Sequence, residues 1–384
     1  MTARAAIVSV ALVLVALGMG IVAWFQSREV APAAEQGTRL ELETVLGGAD
    51  SEGFSRALEV RPFHFPADHG PHPRFRSEWW YFTGNLEGEG GRHFGYQWTL
   101  FRFALTPAAR ARRSRWATRQ LYMAHFTVTD VGAGRFHAHE RLARGALDLA
   151  GAQAEPFRVW IEDWSVAQGE SADHAWRLQA ASGEVAVDLQ LRPAKPVVLQ
   201  GDRGLSRKGG TPGNASYYYS VPRLETRGTV RLDGEHFRVS GTSWLDREWS
   251  TSALEDGQAG WDWFGLQLSD GTELMFYQLR RRDGSVDTHS RGTFVDAQGR
   301  ALSLGPPDVT IEVLASWDSP QGRRYPARWR LTVKPLALSL DIVPLLPNQE
   351  LDTSFRYWEG AVRITGRRAG ESLSGQGYVE LTGY

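Results

Sequence analysis

The chain has no cysteine. That one absence excludes disulfides, thiolate metal sites, a thiol nucleophile and a lipid-modified N-terminal Cys. Charge of one sign is also missing: 43 Lys and Arg stand against 44 Asp and Glu. There is no electrostatic footprint for DNA or RNA, so nucleic acid is not expected as a partner. Nothing long after Phe54 keeps a helical period, and no G-x-S-x-G occurs, which removes the strand-to-helix turn of an α/β serine hydrolase. His137 and His139 share a strand face and His69 lies close to His72, but neither pair has a third ligand at fixed spacing. No metal and no cofactor are expected.

What the chain has instead is tryptophan, 15 in 384 residues, and short alternating runs separated by glycine turns. The first thirty residues stand apart. Ala5 to Phe25 carries no charge, and roughly 20 apolar residues are what a membrane span requires, longer than the core of most signal peptides. Residues 1–30 therefore read as a signal anchor, or as a signal peptide if cleaved near Ala31 and Ala33. Residues 31–53 read as a tether. Either way the remainder is expected outside the cytoplasm, at the periplasmic face of a membrane, in the periplasm or secreted.

From residue 54 the pattern is all-β. Leu58 to Pro73, with four prolines and three histidines, is an extended entry segment. Strands are predicted at Ser77–Leu86, His93–Ala104, Tyr122–Asp130, Phe157–Trp164, Trp176–Ala180 and Glu184–Leu191. The arginine-rich Ala108–Arg119 reads as a solvated loop, or as a patch that leans on anionic headgroups. Pro193 to Pro212 marks a boundary, placing one β domain at 54–200, a linker at 201–216 and a second β domain at 217–384. Asp233 with Gly234 is a strong hairpin signal in the second domain. Trp329–Val333, Ala361–Gly366 and Tyr378–Thr382 supply its last strands. The sequence around Trp79, Trp80, Tyr81 and Phe82 can be laid over that around Trp261, Asp262, Trp263 and Phe264, which makes an internal duplication plausible. Count and spacing predict antiparallel barrels or sandwiches, and a joint between two such units is a usual place for an apolar pocket.

The chemistry concentrates between Gly241 and Gly271. A two-residue period puts Trp244, Asp246 and Glu248 on one strand face and Leu245, Arg247 and Trp249 on the other. A second strand sets Trp261, Trp263 and Gly265 against Asp262, Phe264 and Leu266. A carboxyl sunk among aromatics resists ionisation, because desolvation disfavours the charged form; it becomes a proton donor near neutral pH. The plainer alternative is a structural ion pair among Asp246, Arg247 and Glu248. His125, centred in an apolar strand, is either a hydrogen-bonded core histidine or a group facing the ligand, and Glu78 is expected to pair with Arg102 or Arg223.

The blocks SEWWYFTGNL at Ser77, GYQWTLFR at Gly95, YMAHFTVTD at Tyr122, YYYSVPRLETRG at Tyr217, SWLDREWS at Ser243, GWDWFGLQLSDG at Gly260 and GYVELTGY at Gly377 resemble the AttH-like, carotenoid 1,2-hydratase superfamily. The resemblance covers almost everything after the leader. It implies two lipocalin-like antiparallel β domains in tandem behind an N-terminal apolar leader helix. The nearest branch is often labelled predicted secreted hydrolases and is sometimes associated with ABC-type export systems. The hydratase branch adds water to a terminal alkene of an acyclic carotenoid without a cofactor, which implies an acid, a tertiary cation and aromatic faces to stabilise it. In that branch histidines flank the corresponding acid; here Leu245 and Arg247 stand there.

Asp246, Glu248 and His125 are the expected catalytic residues. Trp79, Tyr81, Tyr96, Gln97, Trp98, Tyr217, Tyr219, Trp244, Trp249, Trp261, Trp263, Tyr277 and Tyr378 are the expected ligand wall. Three readings follow: a carrier or accessory of a membrane export system that holds a lipophilic small molecule, a cofactor-independent hydratase (a hydro-lyase), and a secreted hydrolase.

Overall fold

The computed structural model describes residues 51–107, 114–169, 175–252 and 254–384. The Ala5–Phe25 leader, most of the tether and the first half of the arginine-rich loop, 108–113, lie outside the described residues. Among the described residues no helix is long and apolar enough to cross a membrane.

The fold is all-β and antiparallel, built on two large sheets. The first has thirteen strands. Ser77–Gly88 lies near its middle, with His93–Ala104, Gln120–Asp130 and Arg135–Arg144 following outward as hairpins on one side. Its other edge takes Glu235–Ser250, which arrives last in the chain. Ala215–Leu232 pairs next, and the strands between Ala150 and Pro193 complete that side. Arg158–Ile161 packs back across Gln120–Asp130 and its neighbours, so the sheet curls on itself around one core that includes Trp80, Trp98, Phe126, Trp164 and Leu245. The second sheet has ten strands and repeats the plan: Gln258–Leu268 begins it, and the last strand, Glu371–Leu381, returns to pair beside it. Phe264, Trp329, Trp358 and Ile364 fill its core.

The change of sheet falls between Ser250 and Gln258, later than the 201–216 linker that the prolines and glycines suggest. The reason is local pairing. Val198–Leu199 and Leu205–Arg207 both hydrogen-bond to Ala215–Leu232, which holds the stretch on the first sheet. Phe157–Trp164, expected as one strand, is two, Arg158–Ile161 and Trp164–Gln168, broken at Glu162, whose φ of 55° turns the chain. The Asp233–Gly234 hairpin forms as expected, with φ of 51° and 81°, the left-handed pair that suits the twist of the flanking strands.

The sheets face each other across a third cluster, which includes Tyr81, Tyr218, Trp244, Trp263, Tyr277 and Tyr378. Polar ties cross the same joint. Asn85 Nδ2 donates to the Gly377 carbonyl at 3.0 Å, Thr242 Oγ1 to Gln267 Oε1 at 2.6 Å, and Lys195 and Arg223 both reach Glu273 at 2.6 Å.

Candidate functional site

In an antiparallel sheet, residues directly opposite one another share a face. Asp246 lies opposite Tyr81 on one side and Ser220 on the other; Glu248 lies opposite Trp79 and Tyr218. Acids and aromatics from three adjacent strands therefore form one patch. The second sheet meets it with Trp261 and Trp263, with Tyr277 opposite Trp263, and with Glu380, also opposite Trp263. Between them is a pocket of about 110 Å³, closed further by Phe101, Lys208, Leu254, Leu279, Phe355 and Tyr357.

Asp246 is 3% exposed. Its Oδ1 accepts from Trp244 Nε1 at 2.6 Å and from Ser220 Oγ, and its Oδ2 accepts from Tyr218 Oη. Burial pushes its carboxyl up to about 7 against the pull of those three donors, and the nearby Glu248 charge adds to the rise. Glu380 is pushed up to about 8, again chiefly by burial, although Trp261 Nε1 donates to it at 2.8 Å. Behind it Glu359, directly opposite in the sheet, is also held well above the usual carboxylate range by burial and by the neighbouring Glu380; Tyr81 Oη donates to it at 2.5 Å. Glu248 is different. It accepts from Ser216 Oγ and pairs with Lys208 Nζ at 3.2 Å. The Lys208 ammonium is held above its usual range: burial pulls it down, but Glu248 and Tyr277 outweigh that. The pocket thus carries two carboxyls that resist ionisation and one ion pair.

The expected ion pair between Asp246 and Arg247 does not form, because alternation sends Arg247 to the other face. There it meets Glu78, which also binds Arg102, all three fully buried. The Arg247 guanidinium also lies 3.9 Å over the Trp80 ring. Of the two partners weighed for Glu78, Arg102 is present; Arg223 goes to Glu273.

Eight of the thirteen expected wall residues do not line the cavity, five of them, Tyr96, Trp98, Tyr217, Tyr219 and Trp249, for reasons of face. Tyr217, Tyr219 and Trp249 point into a separate cluster under the entry segment, where Trp249 stacks on His72 at 3.7 Å and Tyr219 Oη meets His69 Nδ1 at 2.6 Å. Tyr96 and Trp98 belong to the first core. Gln97 is fully buried and donates to Thr99. Trp244 and Tyr378 belong to the aromatic cluster beside the pocket; Trp244 reaches it only through its bond to Asp246. Trp79, Tyr81, Trp261, Trp263 and Tyr277 do line it. His125 does not, but its Nδ1 lies 2.7 Å from the hydroxyl of Tyr357, which does.

Tyr218, Lys208, Phe355, Tyr357 and Glu380 are site residues the sequence reading leaves out. Tyr218 had a signal, the Tyr217–Tyr219 run, read in the wrong phase. Glu380 lies two residues from Tyr378, on the same face. Lys208 was hidden in the apparent linker.

His137 and His139 sit on Arg135–Arg144, and His72 Nε2 meets Asp68 at 3.0 Å. Among the described residues no group of acids and histidines is arranged to hold a metal.

A family profile described as AttH-like matches residues 56–384. Among solved structures, the chain is similar to one described as AttH from Nitrosomonas europaea, with 36% identity and a TM-score of 0.76 over 86% of this chain and 100% of that one. Kievitone hydratase from Nectria haematococca shares the fold at 15% identity and a TM-score of 0.64, over 86% of this chain and 96% of that one. CghA with Sch210972 does so at 16% and 0.54, over 89% and 97%. No curated protein matches.

Proposed function

Because this chain belongs to the AttH-like family, we propose that its pocket takes a lipophilic, unsaturated small molecule and that Asp246 protonates it, as the first step of a cofactor-independent addition of water. One observation carries the reading: Asp246 is buried among indoles and phenols, held by three hydrogen bonds, with no cation against it among the described residues. An acid that its site holds near the working pH combines enough of the protonated form with enough driving force to give the proton up.

Proton transfer to a trisubstituted double bond leaves a tertiary cation, and water captures it. Each aromatic face turned to such a cation stabilises it by about 0.5 to 2 kcal/mol in a dry site. Trp79, Tyr81, Trp261 and Trp263 surround the carboxyl for that purpose. The hydratase name of a structural neighbour agrees with this reading; at that level of identity the likeness itself carries only the fold.

The test uses the full chain, an acyclic carotenoid with trisubstituted terminal double bonds in detergent micelles, and water labelled with oxygen-18. Expected is a product carrying one labelled water. Asp246→Asn should lower that turnover by about 100-fold or more, the usual worth of a general acid, while quenching of tryptophan fluorescence by the hydrocarbon is unchanged. Retention of the hydrocarbon unaltered, with Asp246→Asn neutral, would replace the enzyme with a carrier.

A further inference from the structure

In the resting pocket the carboxyls have no vacancy for a proton from water, and Asp246 is free to accept one only after it has protonated the substrate. Asp246 and Glu380 sit where ionisation is resisted, and Glu248 is already paired with Lys208. A different set of groups reaches the cavity from behind. Tyr357, on Arg356–Arg368 in the second sheet, lines the pocket, and its hydroxyl lies 2.7 Å from Nδ1 of His125, on Gln120–Asp130 in the first. His125 Nε2 lies 3.0 Å from Glu140 Oε1 on the neighbouring strand.

The order of these contacts fixes their direction. Glu140 stays ionised: burial would raise it, but hydrogen bonds from His125 and Ser354 hold it below the ordinary carboxylate range. An ionised carboxylate can only accept, so Nε2 of His125 carries the hydrogen. In neutral imidazole Nδ1 is then bare, and Tyr357 must donate to it. Phe101 and Phe355 rings pack edge-on against the imidazole at 5.6 and 5.0 Å. Gln97 Nε2 approaches the phenol oxygen at 3.4 Å from the first sheet. Glu359 and Glu380 face the phenol from its own sheet, and burial together with those two acids holds it well above the ordinary phenol range, so Tyr357 keeps its proton until the imidazole takes it.

We propose that Tyr357, His125 and Glu140 form a proton-accepting relay that opens into the pocket and receives the proton of an attacking water. The role in turnover rests on the hydration reading above; the relay's polarity does not. As the water oxygen bonds to the carbocation, one water O–H bond breaks and its proton passes to the Tyr357 oxygen. The Tyr357 proton moves at the same time to His125 Nδ1, leaving a neutral phenol and an imidazolium facing the Glu140 carboxylate. Glu140, with its side chain 16% exposed, holds the imidazolium by its charge; His125 Nδ1 then returns its proton to Tyr357, whose own proton passes to water in the pocket and from there to the ionised Asp246, which restores both the resting tautomer and the acid. Tyr357 is the group that touches the reacting water; His125 and Glu140 are positioning residues that act through it.

Nitrogen-15 NMR of the full chain labelled at histidine, with His125 assigned through His125→Gln, reads the relay directly. Expected near pH 7 is the tautomer with hydrogen on Nε2 and a bare Nδ1 whose resonance moves in Tyr357→Phe; Glu140→Gln should erode the preference for that tautomer. Hydrogen on Nδ1, an imidazolium in the resting protein, or an Nδ1 resonance indifferent to Tyr357→Phe would overturn the proposal. If the labelled-water assay shows turnover, Tyr357→Phe should lower kcat by about 100-fold with KM unchanged, and an unchanged kcat would also overturn it. Absence of turnover in the unmodified protein would sink the hydration reading and leave the NMR result to decide the relay. Melting curves on each variant separate misfolding from either outcome.

Discussion

Asp246 is buried with no cation against it among the described residues, so its charge is costly even though the three hydrogen bonds it accepts favour the ionised form. Its ordinary value is 3.8 and burial lifts it to about 7. Between those two pH values the folded protein binds the proton and the unfolded chain does not, so the stability difference falls as pH rises through that window. The whole shift corresponds to roughly 4 kcal/mol, at about 1.4 kcal/mol per pH unit. Asp246→Asn keeps the shape of the neutral acid and removes the titration. Urea unfolding should therefore find the variant close to the parent at pH 4 and more stable than it at pH 8, by up to about that amount. A variant less stable at pH 8 would show that the carboxylate itself holds the fold.

At the scale of the strand, one residue of alternation separates two kinds of charge. Asp246 and Glu248 face the pocket; Arg247, between them, turns to the opposite side and shares Glu78 with Arg102. Glu78 is held below the ordinary carboxylate range: burial would raise it, but Arg102 and Arg247 outweigh that. Its contribution is present above pH 4.5 or so and is lost as pH falls below it, the reverse of Asp246. Glu78→Gln leaves two buried guanidinium groups without a counter-charge and should cost about 3 to 5 kcal/mol in urea unfolding at pH 7. The register matters again at Tyr217, Tyr218 and Tyr219. Their alternation is plain in the sequence, but its phase is set by Tyr218 standing opposite Glu248, a pairing no local pattern contains.

At the scale of the molecule the site belongs to both sheets, and their close approach depends on residues without side chains. A Cβ on Gly95 of the first sheet would stand 2.6 Å from Ala361 Cβ and 2.9 Å from Tyr378 Oη of the second. Gly95→Val should push the sheets apart at a cost of about 1 to 3 kcal/mol, read as a fall in the urea midpoint. Gly210→Ala, where an added Cβ meets nothing within 4 Å, should leave the midpoint unmoved. The likeness between the two sheets is partly visible in the sequence. Trp79 and Tyr81 match Trp261 and Trp263 in role, each pair lining the pocket from the strand that begins its sheet. The match fails one strand later: Tyr96 enters the first core while Tyr277 lines the pocket, because Tyr96 pairs with Gly84 and Tyr277 with Trp263.

The sequence by itself determined the all-β class, most strands, the face shared by Asp246 and Glu248, and the family, because two-residue alternation and aromatic blocks are local properties. Tertiary structure alone decided which sheet Ala215–Leu232 and Glu235–Ser250 join, that Lys208 and Tyr357 reach the pocket, and that His125 stands one residue behind it. Those facts depend on pairings between strands far apart in the chain, and each such pairing is fixed by the packing of a whole sheet.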